Sequence, residues 1–148
     1  MGARQVLIVA EQTADTRVLE ATVARLVARS RCAFTVLVPV RARGAHRGAG
    51  HADLGVGGAE DWLDAALPGL SRAAGDTVIG LVGREEPLMA TRDALNLLGF
   101  DQVIIWMPPA RESRWLGLDL PRKVRALGVP VSHVINAAVG ADDPSVRG

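Results

Sequence analysis

Apolar residues gather in five short runs, at 5–10, 33–38, 77–82, 102–106 and 131–135. Four of these are nearly continuous rather than alternating, as a parallel strand needs when helices cover both of its faces. Each run predicts a buried strand. Between them the apolar spacing lengthens to that of a helix. The first predicted helix covers 15–29, with Leu19, Thr22, Val23, Leu26 and Val27 on one stripe, and Thr13 or Asp15 able to cap its first turn. The second covers 59–74 and turns Trp62, Ala65, Ala66 and Leu70 inward, with Pro68-Gly69 predicting a kink or a split. Glu86-Pro87 opens the third, which places Leu88, Thr91, Leu95 and Leu98 at helical spacing before Gly99. The fourth is shorter: Leu120, Val124 and Leu127 form its stripe, Arg122, Lys123 and Arg125 face water, and Gly128 with Pro130 stops it.

Strict alternation of strand and helix implies parallel strands joined by right-handed crossovers, hence an α/β fold with a three-layer, doubly wound sheet. One domain over 1–136 accounts for the pattern. The segment 41–58, rich in Gly, Ala and Arg and holding His46 and His51, reads as a long connection, and 137–148 as a flexible tail.

Composition narrows the functional classes. The chain has 148 residues, 49% hydrophobic and 22% charged, with a net charge of +1. That balance creates no large single-sign field, so neither nucleic acid nor a membrane surface is an expected partner. The longest apolar stretches, 6–10 and 103–107, fall far short of the roughly 18–20 residues that a membrane span needs. The first residues carry no signal pattern, and the expected location is the cytoplasm. Cys32 is the single cysteine, which excludes an internal disulfide and fits a reducing compartment. It stands at the amino edge of the second strand and reads as a small, half-buried hydrophobe.

In an open parallel sheet, ligands bind beyond the carboxyl ends of the strands, where the strand order reverses. Four segments stand there: Glu11-Gln12-Thr13, Pro39-Val40, Gly83-Arg84-Glu85 and 107–114. None contains a G-x-G-x-x-G or G-x-x-x-x-G-K-[ST] phosphate loop, and Gly55-Val56-Gly57-Gly58 follows a loop rather than a strand. His46 and His51 lack companions at metal-ligand spacing, His133 reads as a strand residue, and Glu85 and Glu86 suit a helix start better than acid-base work. No nucleophile-base pair is identifiable, and no enzymatic activity is expected. The stretch Met107-Pro108-Pro109-Ala110-Arg111-Glu112-Ser113-Arg114-Trp115 carries the most chemistry: a stiff strand exit, forked guanidinium donors for an anion, and an indole for stacking.

The order of elements, together with Val6-Leu7-Ile8-Val9-Ala10, Val82-Gly83-Arg84-Glu85-Glu86-Pro87, Phe100-Asp101-Gln102-Val103-Ile104-Ile105 and Gly128-Val129-Pro130-Val131-Ser132-His133-Val134-Ile135, resembles the universal stress protein family. Ser113-Arg114-Trp115-Leu116-Gly117-Leu118-Asp119-Leu120-Pro121 resembles a divergent branch of it. The resemblance implies a Rossmann-like sheet of order 3-2-1-4-5, a role in stress response or regulation, and a homodimer paired through the last strand, here Val131 to Ile135. It also implies an adenine-nucleotide site, which in the family uses two glycines three positions apart after the fourth strand and a third farther on. Met107 and Ala110 occupy the first two places, Pro108 and Pro109 have no N–H to donate, and only Gly117 aligns with the third. Glycines let backbone amides approach phosphate oxygens, so classical ATP binding is not expected. The alternative is a nucleotide or small-anion sensor with a pocket of Glu11, Val38, Gly83, Arg111, Ser113, Arg114 and Gly117. No metal is implied.

Overall fold

Five parallel strands hydrogen-bond in the order β3-β2-β1-β4-β5 in the computed structural model, which describes residues 2–12, 14–40, 56–107 and 119–136. The elements in chain order are β1 (Arg4–Val9), α1 (Thr16–Arg29), β2 (Cys32–Pro39), α2 (Val56–Ala74), β3 (Ile79–Gly83), α3 (Pro87–Leu97), β4 (Gln102–Met107), α4 (Leu120–Arg125) and β5 (Val131–Asn136). The expected doubly wound sheet, with its order 3-2-1-4-5, is therefore present. β1 is the pivot. It pairs with β2 from Arg4–Cys32 to Val9–Leu37 and with β4 from Val6–Gln102 to Val9–Ile105. Asp101 sets the second register: its Oδ2 accepts from the Gln5 amide at 2.7 Å, and its own amide donates to the Gln5 carbonyl at 2.7 Å.

Two apolar clusters sandwich the sheet. On one face Val6 and Ile8 of β1 and Ala10 just after it, with Phe34, Val36 and Val38 of β2 and Ile104 and Trp106 of β4, meet Leu19 and Val23 of α1 and Leu63, Ala66 and Leu70 of α2. On the other, Leu7, Val9, Leu37, Val103 and Ile105 meet Ala90 and Ala94 of α3 and Leu120 and Val124 of α4. Alternate residues of each central strand thus supply opposite faces, as the pleat requires.

Helix boundaries follow local chemistry. Asp15 caps α1, its Oδ1 accepting from the Arg17 amide at 2.9 Å, and Glu86 caps α3, its Oε1 accepting from the Met89 amide at 2.7 Å. Thr13, the other cap candidate, lies outside the described residues. Of the connection read over 41–58, residues 41–55 also lie outside; the structure begins α2 at Val56 and so takes Gly57 and Gly58 into the helix. α2 is not split at Pro68 but runs as one helix from Val56 to Ala74. Proline removes the hydrogen bond to the carbonyl of Asp64, and both residues lie on the exposed side, where water can serve that carbonyl. At the next residue, Gly69, a Cβ would run into the carboxylate of Glu20, so α1 approaches α2 where a side chain is missing.

Four burial expectations are corrected, the first in α2, where Ala65 is exposed and Leu63 is buried instead. β3 is an edge strand: it starts at Ile79, two residues later than expected, with Ile79 54% exposed and the rest only partly covered. α3 buries Pro87, Ala90, Thr91 and Ala94, while Leu88 and Leu95 pack at the margin and Leu98 is exposed. Small residues take the inner face because α3 sits tightly over Gly83, where a Cβ would come within 2.7 Å of the Ala90 Cβ. Leu127 is exposed because α4 ends at Arg125, before a second turn can carry that side chain under the helix. Gly128 completes the turn at φ 99°, a backbone conformation that favours glycine.

Candidate functional site

Strand order reverses at β1, since β2 leaves to one side and β4 lies on the other, and the carboxyl ends of β1 and β4 flank the resulting crevice. Beyond β1 the chain turns sharply. Ala10 donates to the Leu37 carbonyl at 3.0 Å, and Ala14 donates back to the Glu11 carbonyl at 3.0 Å. This turn is braced from outside by α2, whose Trp62 donates from Nε1 to the Ala14 carbonyl at 3.3 Å. The brace also fixes Asp15, and with it the start of α1.

Glu11 is the polar side chain that the turn buries, at 8% exposure, and it is already engaged by the protein. A carboxylate offers about four lone-pair positions, so a Glu11 in place can accept further donors. Val38 stands at the matching end of β2, yet its side chain is fully buried in the core, so what it offers a ligand is backbone. Gly83 ends β3, and its missing Cβ is explained by the Ala90 contact. Arg84, the next residue, directs Nε to Asp93 Oδ2 of α3 at 2.8 Å. That guanidinium is held along α3 instead of being turned to the crevice. The pair is exposed and contributes little to stability.

Arg111, Ser113, Arg114 and Gly117 lie outside the described residues, as do Pro108, Pro109, Ala110 and Trp115. The chain is described again at Asp119, which takes the left-handed conformation at φ 53° and whose Oδ2 accepts from Arg122 Nε at 2.7 Å before α4 begins. Of the seven expected site residues, the fold thus brings Glu11, Val38 and Gly83 to the carboxyl ends of neighbouring strands. Sequence reasoning passed over Trp106. It is the penultimate residue of β4, 1% exposed, and its Nε1 is buried with no hydrogen-bond partner among the described residues. The available signal was a tryptophan at the crevice end of a strand covered on both faces, because its ring carries a donor that aliphatic core residues lack.

Cys32 begins β2 at the opposite end of the sheet, with its Sγ 3.9 Å from Ser30 Oγ, as its place in the sequence implied. It lines an open depression of about 520 Å³ together with Val27, Arg31 and Ala74, away from the crevice. Among the described residues no group of three His, Cys, Asp or Glu side chains is placed to hold a metal ion. No described helix is long and apolar enough to cross a membrane.

No protein-family model matches the sequence, and no curated protein matches it by sequence. The chain is similar to a universal stress protein whose crystal structure was determined in complex with cAMP, at a TM-score of 0.59 and 13% identity, over 91% of this chain and 97% of that one. The fold of this protein is that of a universal stress protein.

Proposed function

We propose that this chain is a regulatory protein of the universal stress type, without catalysis of its own, that responds to a small ligand at the carboxyl ends of β1 and β4. The observation that carries the reading is the strand-order reversal at β1, with a buried carboxylate placed on the turn beside it. The similar protein of the same fold binds cAMP, which supports an adenine nucleotide as the ligand class. Glu11 suits the nucleoside half of such a molecule, because a carboxylate accepts from ribose hydroxyls and exocyclic amines. Prolines at 108 and 109 withhold the amides that a triphosphate cradle uses, which favours a ligand with one phosphate over ATP. Arg111, Ser113 and Arg114 would receive that phosphate by side chains, and Gly117 would leave room beside it.

Thermal unfolding with and without cAMP, AMP, ADP and ATP-Mg tests this. Ligand at about 100 times its dissociation constant adds about 2.7 kcal/mol, a rise of several degrees for a domain of this size. The expected result is a rise with cAMP or AMP that exceeds the rise with ATP-Mg. No rise with any of the four defeats the nucleotide reading.

The working form in this proposal is a homodimer joined through the strand from Val131 to Ile135, in a cytoplasmic stress response. β5 is an edge of the sheet, and an edge strand offers backbone groups to a second copy. Val131→Glu with Val134→Glu is expected to halve the hydrodynamic mass in sedimentation. An unchanged mass rules out pairing through that edge.

A further inference from the structure

Among the described residues β3 has a strand on one side only. Its backbone shows which groups that leaves over. The Gly83 carbonyl accepts from the Val40 amide at 3.0 Å, so Gly83 faces β2, and by the alternation of a strand so do Leu81 and Ile79. Gly80 and Val82 therefore turn their amides and carbonyls out of the sheet. Val78 turns the same way, but its amide is taken by Ser71 Oγ at 2.9 Å, which leaves its carbonyl. Edge strands are commonly blunted by a charge, a proline or a bulge. From Thr77 to Gly83 there is neither charge nor proline, the register with β2 is regular, and Ile79 is 54% exposed.

This edge is complementary to itself. When two copies of β3 are set antiparallel with Gly80 opposite Gly80, the outward groups of Val78, Gly80 and Val82 fall on the hydrogen-bonded pairs of the ladder. Each Gly80 amide then donates to the partner's Gly80 carbonyl, and each Val82 amide to the partner's Val78 carbonyl. Ile79 and the partner's Leu81 fall on the closer, non-hydrogen-bonded pairs, where side chains touch. At the ends Asp76 stands opposite the partner's Arg84, both of them exposed. Arg84 gives Nε to Asp93, and a guanidinium has further N–H groups for a second carboxylate. Slipping the strands by two residues one way would set Asp76 against Glu86, and the other way would set Arg84 against buried Ala74. Charge and apolar pairing thus select the same register.

We propose that β3 is a self-pairing surface: a second copy of the chain adds its β3 antiparallel, with Gly80 opposite Gly80, and carries the sheet on across a two-fold axis. The inference goes beyond the ligand reading and is separate from the pairing proposed for β5, at the opposite edge.

Disulfide trapping in the full chain with Cys32→Ala tests it. Positions directly opposite lie within reach of a disulfide, and those two residues along do not. With oxidised glutathione as the oxidant, Ile79→Cys mixed with Leu81→Cys is expected to yield about tenfold more covalent dimer than either variant alone. Either variant cross-linking by itself as well as the mixture does overturns the register. No covalent dimer in the mixture overturns the pairing and leaves the edge to another occupant, such as an extended segment of a different protein. Adding Asp76→Arg to both chains sets like charges against Arg84 and is expected to cut the yield about fivefold, and Arg84→Asp added to both is expected to restore it. A yield that Asp76→Arg does not lower overturns the proposal as well. If Leu81→Cys does not fold, sedimentation of the chain carrying Val131→Glu and Val134→Glu decides: its mass is expected to rise toward that of a dimer with concentration, and Asp76→Arg to hold it at that of one chain. A single-chain mass up to about 1 mM overturns the proposal.

Discussion

The two faces of the sheet are packed by different means. Under α1 and α2 lie large side chains, Phe34, Leu19, Leu70 and Trp106 among them, whereas α3 meets the sheet through Ala90 and Ala94 over Gly83. Close approach of α3 at Gly83 leaves no space there for a larger side chain. The face built from large side chains admits an indole, and with it a polar atom that aliphatic packing cannot satisfy. The α1–α2 face is therefore filled by bulk, and the α3–α4 face by close approach at Gly83.

Substitutions can break or sharpen that contrast. Leu70→Ala, at a fully buried position in α2, is expected to cost about 2–5 kcal/mol in denaturant unfolding, the range for a leucine truncated in a core. A cost below about 1 kcal/mol would mean that the large-side-chain face is loosely packed. Next comes Gly83→Ala. Its new Cβ would meet the Ala90 Cβ at 2.7 Å and Leu37 Cδ1 at 3.0 Å, so about 1–3 kcal/mol should be lost as α3 is pushed outward. Removing the α3 cap with Glu86→Ala should cost about 1 kcal/mol. Gly80→Ala is the informative control for Gly83. The atoms it would meet, at 3.0–3.2 Å, are the tips of Leu63 and Leu67, which can turn aside, so the loss should stay under about 1 kcal/mol in the same assay. Equal losses at the two glycines would erase the distinction between the faces. Leu97→Gln, at 73% exposure on α3, should shift stability by no more than about 0.5 kcal/mol.

Much of this architecture was legible in the sequence, for reasons that particular residues make plain. Both-face burial of β1, β2 and β4 leaves almost no polar residue in their central stretches, so unbroken apolar runs disclosed them. Glu86-Pro87 announced α3 because an acceptor side chain and a residue without an N–H both suit a helix start. The inner face of α3 was misread for an equally physical reason. Hydrophobicity ranks leucine above alanine, but contact with Gly83 rewards the smaller side chain, and no local pattern records that distant contact. The start of α2 was hidden in the same way, since Gly57-Gly58 has the composition of a loop. At the site, Glu11 followed from the rule on strand ends. The unmet donor of Trp106 depends on which acceptors the fold brings near it, and spacing along the chain carries no trace of that.

The bond from Trp62 to the Ala14 carbonyl joins positions 48 residues apart. Its consequence is one of timing. α1 can form from neighbouring sequence, but the turn before it reaches its final shape only after β2 has paired and α2 has docked. Such long-range closure comes at an entropic cost that slows folding. The turn after β1 therefore matures no earlier than α2 docks, and under the proposed function recovery of ligand affinity during refolding should follow that docking.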